Sequence, residues 1–215
     1  MKAKFPHFNI AVLPALIVVP AMMQAIHAAS PNIIEPDSAG NVTVTSDFTT
    51  TNGTDWTVLA NGGSTPPFIV DIESGAILTG NPSINNAIEI TALEYTINNA
   101  GTLDASNTGI LANTSYSIIN NQTGGIIRGG FSGISYRQKY DDMQISVYDE
   151  SPTSGSVINY GSISGNAYGI DGGTNLSIEN LEGATITGES GYGIYTGDGL
   201  ILENAGIITG AFAST

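Results

Sequence analysis

VINYGSISGNAYGI (157–170), LSIENLEGATITGESGYGI (176–194) and LILENAGIITG (200–210) are one short sentence written three times with small changes. The same sentence stands upstream as YTINNAGTLDASNTGI from Tyr95 and SIINNQTGGIIRGGFSGI from Ser117, with a blurred copy, SGAILTGNPSI, from Ser74. Self-similarity of this kind identifies a repeat array, in which each copy buries its apolar face against its neighbours. The apolar centres Leu103, Ile127, Ile163, Ile186 and Ile208 are separated by steps of 24, 36, 23 and 22 residues. The unit is therefore about 22 to 24 residues, and one copy carries an insertion. A second apolar residue follows seven positions later at Ile110, Ile134 and Ile170, and eight later at Ile194.

Within a copy, LSIEN (176–180) and LILEN (200–204) alternate apolar with polar residues, the pattern of a half-buried strand. GSISG (161–165) and ATITG (184–188) place small, Ile, small on one face and Ser or Thr on the other. No stretch sustains a 3.6-residue apolar period, and Gly and Asn disfavour helix interiors. Three short strands per copy, repeated in register, predict an all-β chain folded as a parallel β-helix, one copy per coil. Asn99, Asn121, Asn159, Asn180 and Asn204 close the first strand of successive copies. Identical amides stacked along an axis can hydrogen-bond to one another, so these five are expected to form a structural ladder. Asp171-Gly172-Gly173 and Gly197-Asp198-Gly199 read as corners; neither follows a phosphate-loop pattern or the calcium nonapeptide.

The chain begins Met1-Lys2-Ala3-Lys4, continues with an apolar run over 10–23 broken by Pro14 and Pro20, and then reaches small residues. That is the layout of a secretory signal peptide over 1–29, with cleavage expected near Ala28 or Ala29. The apolar run is shorter than the ~20 residues needed to span a bilayer. Both histidines, His7 and His27, fall inside this segment, so the remaining chain has no His and no Cys. Its three basic residues, Arg128, Arg137 and Lys139, face all 19 acidic ones. Such an acidic product is poorly suited to nucleic acid or anionic lipid, which are bound through Lys and Arg. A His-based triad and a Cys nucleophile are both excluded after cleavage. No cofactor and no metal site is expected. Residues 30–67 read as an N-terminal cap or lead-in, and 68–215 as the coils, with the insertion at about 135–155.

The signal peptide followed by degenerate N-x-G-x-I-x-G-x-x-x-G-I coils resembles the passenger region of bacterial autotransporters. The coil sentence carries the resemblance over 74–210. The resemblance implies a right-handed helix, export from a Gram-negative bacterium, and display or release at the outer membrane through a C-terminal β-barrel translocator. It also implies an adhesin-like role toward a host or neighbouring-cell surface, with the export machinery as the first partner. The chain departs from the family's layout in stopping at Thr215, inside a coil, without a translocator; a fragment or truncated product is the expectation.

The insertion is where a special function is expected, because excursions from a rigid solenoid often carry binding residues. Its candidates are Tyr136, Arg137, Lys139, Tyr140, Asp141, Asp142 and Tyr148. Asp141-Asp142 alone lacks the spaced oxygen ligands of a calcium site. The alternative function is a β-helical carbohydrate-active enzyme. Its carboxylate pair would be Glu179 and Glu203, which occupy equivalent strand positions on neighbouring coils.

Overall fold

A computed structural model describes residues 41–49, 56–60, 68–80, 86–90, 94–112, 116–136 and 154–212. The first coil comprises β1 (Val42–Val44), β2 (Phe48–Thr49) and β3 (Trp56–Ala60), and the second β4 (Phe68–Ile72), β5 (Ile77–Thr79) and β6 (Asn86–Ile90). The third comprises β7 (Tyr95–Asn99), β8 (Thr102–Ala105) and β9 (Thr108–Ala112), and the fourth β10 (Ser117–Asn121), β11 (Ile126–Gly129) and β12 (Ser132–Ser135). The fifth comprises β13 (Gly155–Asn159), β14 (Ser162–Gly165) and β15 (Tyr168–Asp171). The sixth comprises β16 (Leu176–Asn180), β17 (Thr185–Gly188) and β18 (Tyr192–Tyr195), and β19 (Ile201–Asn204) and β20 (Ile207–Gly210) begin a seventh. No described residue is helical.

Every third strand pairs in parallel, giving three sheets of seven, seven and six strands. Sheet A holds the first strand of each coil, sheet B the second and sheet C the third. The chain is thus a parallel β-solenoid. With strands ~4.8 Å apart, seven stacked strands extend on the order of 30 Å along the axis. The stretch read as a lead-in supplies a coil of its own: β1 pairs with β4, β2 with β5 and β3 with β6. Its alternating Val42-Thr43-Val44 buries both valines and exposes the threonine, as period-two patterning requires.

The repeated apolar residues build the core. Leu103, Ile127, Ile163, Ile186 and Ile208 are mutual register partners in sheet B. Ile110, Ile134, Ile170 and Ile194 are stacked likewise in sheet C, and Ile97, Ile119, Val157 and Ile178 in sheet A. From Ile97 through Ile186 these side chains are at most 1 % exposed. Each contributes about 1.5–3 kcal/mol of apolar burial. The core is narrow enough to need glycine where sheets B and C converge. A Cβ on Gly169 would lie 2.7 Å from Ile186 Cγ2, and Gly109, Gly133 and Gly193 meet Ile127, Ile163 and Ile208 in the same way.

Irregular periods are absorbed in corners. The extra residue between Ile186 and Ile194 falls in corner 189–191, where the fourth and fifth coils turn with two residues. The corner from sheet A to sheet B alternates in length along the axis. Coils two, four and six use four residues closed by a reverse turn, with Gly75, Gly124 and Gly183 at φ +86, +82 and +82. The turn bonds run from Ala76 N to Glu73 O, Gly125 N to Gln122 O and Ala184 N to Leu181 O, at 3.1, 2.8 and 3.0 Å. Coils three, five and seven cross the same corner with two residues. The large insertion lies in the corner from sheet C to sheet A, between β12 and β13.

Candidate functional site

The five repeated asparagines meet inside the coils. Asn99 Nδ2 donates to Asn121 Oδ1 at 2.9 Å, and Asn121 to Asn159, Asn159 to Asn180 and Asn180 to Asn204 each at 2.8 Å. Each Nδ2 also reaches a carbonyl at the start of a sheet B strand one coil on: Ile126, Ser162, Thr185 and Ile207 O. Asn99, Asn121, Asn159 and Asn180 are buried. Apart from Asn99 Oδ1, the buried amides are taken up by one another and by these carbonyls, so the ladder ties sheet A to sheet B. A second chain of amides runs on the outside of sheet A, where Asn120 donates to Asn98 and Asn98 to Asp71, each at 2.8 Å. The same register continues through Ile158 to Glu179 and Glu203, which are direct strand partners.

Of the insertion residues singled out from sequence, Arg137, Lys139, Tyr140, Asp141, Asp142 and Tyr148 lie outside the described residues. Tyr136 is described, and its placement corrects its grouping with the excursion: it is 3 % exposed and part of the core. Its N–H donates to Asp171 O at 2.8 Å, and its hydroxyl accepts from Ser117 Oγ at 3.4 Å. Glycine makes the space, since a Cβ at Gly155 would stand 2.9 Å from the Tyr136 ring. Burial pushes the Tyr136 hydroxyl up to about 12, with Ser117 opposing the shift. The neighbouring Tyr95 hydroxyl is raised further, first by burial and then by Tyr136, with Ser117 opposing the shift, and it meets no partner at hydrogen-bond geometry among the described residues. Tyr95 also lines a shallow open hollow of about 390 Å³, edged by Glu94, Tyr116, Ile118 and Ser154.

The outer surface carries a feature with no counterpart in the sequence-level expectations. Five aromatic rings form a continuous strip along the corner from sheet B to sheet C and the sheet C strands that follow it. Phe131 meets Tyr168 edge to face at 5.6 Å, and Tyr168 lies nearly parallel to Tyr192 at 6.2 Å. Tyr195 sits against both tyrosines at 5.6 and 5.5 Å, and Phe212 against Tyr192 at 5.8 Å. Phe131 and Phe212 are 47 % and 59 % exposed, and the three tyrosines are half-buried. Backbone bonds lock the corners that carry them: Tyr168 N and Ala167 N donate to Phe131 O, Tyr192 N to Ala167 O, and Phe212 N to Gly191 O. The signal was present as AYGI (167–170) beside GYGI (191–194), an aromatic residue at the same repeat position.

Charge is placed elsewhere. Arg128 is the one described basic residue, and it lies 3.9 Å from Asp104, its register partner on sheet B. No family model matches the chain, and neither a curated protein nor a solved structure matches it at a significant level. The described residues thus combine an inner amide ladder between sheets A and B with an outer aromatic strip on the side of sheet C.

Proposed function

We propose that the chain is a rigid exported rod, an adhesin-like passenger of the autotransporter type that displays side chains at the cell surface. The observation that supports this reading is the division of labour within each coil. The repeated Ile, Asn and Gly are spent on core, ladder and corners, so the outward positions are free to vary without loss of the scaffold. A stack of this kind extends by simple addition of coils and offers long faces to another surface. The N-terminal segment 1–29 supports export by its basic start, apolar run and small-residue end.

The test has two arms in a Gram-negative host. Residues 1–29 are fused to a reporter that is active only after export, and periplasmic activity is expected; retention in the cytoplasm would overturn the export half. The full chain is then joined to a β-barrel translocator, and surface protease accessibility and adherence to epithelial cells and to sibling bacteria are measured. A displayed, folded chain that raises adherence to neither would overturn the adhesive half.

A further inference from the structure

We propose that the strip formed by Phe131, Tyr168, Tyr192, Tyr195 and Phe212 is a docking platform for an uncharged polysaccharide chain. The inference rests on the surface-interaction reading above and supplies its ligand class.

The strip crosses four coils, from the corner of the fourth to that of the seventh. Three strand steps of ~4.8 Å give it a length of ~14 Å, matched to an extended polymer rather than to a compact molecule. The strip is open to solvent, since Phe131 and Phe212 are exposed and the three tyrosines half-buried. Tyr168 and Tyr192 are within 8° of parallel with centroids 6.2 Å apart. That centroid distance exceeds the ~3.5–4 Å of two rings eclipsed in contact, so neither ring is covered face to face by the other at contact distance. An aromatic face carries negative potential. The C–H bonds on one face of a sugar ring are weakly positive and pack against it, while the sugar hydroxyls need polar partners at the rim. The Tyr192 hydroxyl is one such partner, and Ser190 and Asn166, hydrogen-bonded to each other at 3.0 Å, lie in the same corners.

Charge selects among polymers. The corners over 130–131, 166–167, 189–191 and 211–212 contain no Lys or Arg and one carboxylate, Glu189. A uronate, sulfate or phosphate polymer would find no cation there, and the chain's formal charge of −14 would repel it. A basic peptide would stack on the rings but would find one anion for several cations. A neutral glycan needs neither. The corner backbone bonds hold the rings before any ligand arrives, so little ordering accompanies binding.

The experiment is native gel electrophoresis of the purified full chain through gels containing hydroxyethylcellulose, mixed-linkage β-glucan, dextran, polygalacturonate or polyarginine. Retardation is expected in at least one neutral gel and not with polygalacturonate. Phe131→Ala with Phe212→Ala removes the two most exposed rings and is expected to weaken retardation about tenfold or more, with circular dichroism unchanged. Tyr192→Phe keeps the stack and is expected to lose less than Tyr192→Ala. Retardation by none of the neutral polymers, by polyarginine or polygalacturonate alone, or undiminished in the folded double variant would each overturn the proposal. If the Tyr192 variants misfold, the double variant alone decides. Binding is read on purified protein and export in cells, so either result can fail without the other.

Discussion

Asn99 stands directly over Ile72 in sheet A, and its Oδ1 has no hydrogen-bond partner among the described residues. Every later amide in the ladder accepts a bond from the coil before it, but at this step the coil before supplies a methyl-bearing side chain. The ladder therefore begins with an unsatisfied buried acceptor, a group that costs roughly 1–3 kcal/mol.

Replacing Ile72 by Asn extends the ladder by one rung, because its Nδ2 would face Asn99 Oδ1. The lost apolar burial is partly offset. Ile72→Asn is expected to be about 2 kcal/mol less destabilising than Ile97→Asn, whose new amide would sit in the apolar stack of the same sheet. Urea unfolding of the two variants checks this; equal midpoints would show that the orphaned acceptor is of no consequence.

Breaking the ladder in its middle should cost far more than breaking the outer one. Asn159→Ala removes the donor to Asn180 Oδ1 and the acceptor for both Asn121 Nδ2 and Gly161 N. The two amides are buried and Gly161 is partly so, and a loss of about 3 kcal/mol is expected. Asn120→Ala leaves Asn98 Oδ1 half-exposed and open to water, and about 0.5–1 kcal/mol is expected. The comparison is made by thermal and urea denaturation at neutral pH.

Gly169→Ala and Gly183→Ala separate steric from conformational demands. At Gly183 nothing lies within 4 Å of an added Cβ, and φ is +82. The cost there is the left-handed backbone alone, about 1 kcal/mol. At Gly169 the added carbon meets Ile186 Cγ2 at 2.7 Å and a backbone carbonyl of Gly193. Overpacking of a filled core should cost about 2–3 kcal/mol and weaken the sheet B–sheet C seam first. Amide hydrogen exchange on 185–194 would locate that opening.

Alkaline stability follows from the two buried phenols. A tyrosine in the unfolded chain titrates near ~10. Tyr136 holds its proton to about 12 in the folded protein, and Tyr95 holds its own at least as firmly, both chiefly because burial disfavours the phenolate. Above pH ~10 the unfolded state therefore binds fewer protons than the folded one, and stability falls as pH rises. The slope is up to ~1.4 kcal/mol per pH unit for each phenol. Stability is fully present below pH ~10 and is lost toward pH 12 and beyond. In Tyr136→Phe the alkaline slope between pH 10 and 12 should be roughly halved, which a series of unfolding midpoints would show.

Much of the architecture was legible because a solenoid has local rules. Strands of four or five residues with fixed parity place Ile163 and Ile186 in one column before any tertiary contact is known, and the spacing of the repeats sets the register. Asn159 and Asn180 could be matched for the same reason, since stacking identical positions brings identical side chains together. The first coil was harder to recognise. Thr dominates 42–60, the sentence is too altered to match, and only the alternation at Val42 and Val44 marks a strand.

The aromatic strip and the core tyrosine escaped for a different reason. Parity holds within a strand and lapses at a corner, where the backbone turns and successive side chains no longer alternate between core and solvent. Tyr168 and Tyr192 begin their strands at such a corner, so their direction was undetermined by spacing. Tyr136 directly follows the last residue of β12, and the sequence around it resembles the excursion it precedes.

From its residues alone, this protein determined a stack of short parallel strands with an Ile core, Gly corners and a recurring amide, because those features depend on period and side-chain size. The tertiary structure decided what happens where the period pauses. It turned Tyr136 inward beside Tyr95 and Ser117, left Asn99 over Ile72, and set Phe131, Tyr168, Tyr192, Tyr195 and Phe212 in contact with one another along one side of the stack. Those outcomes depend on how far neighbouring coils rotate and how much room their glycines leave, quantities that exist only once the coils are stacked.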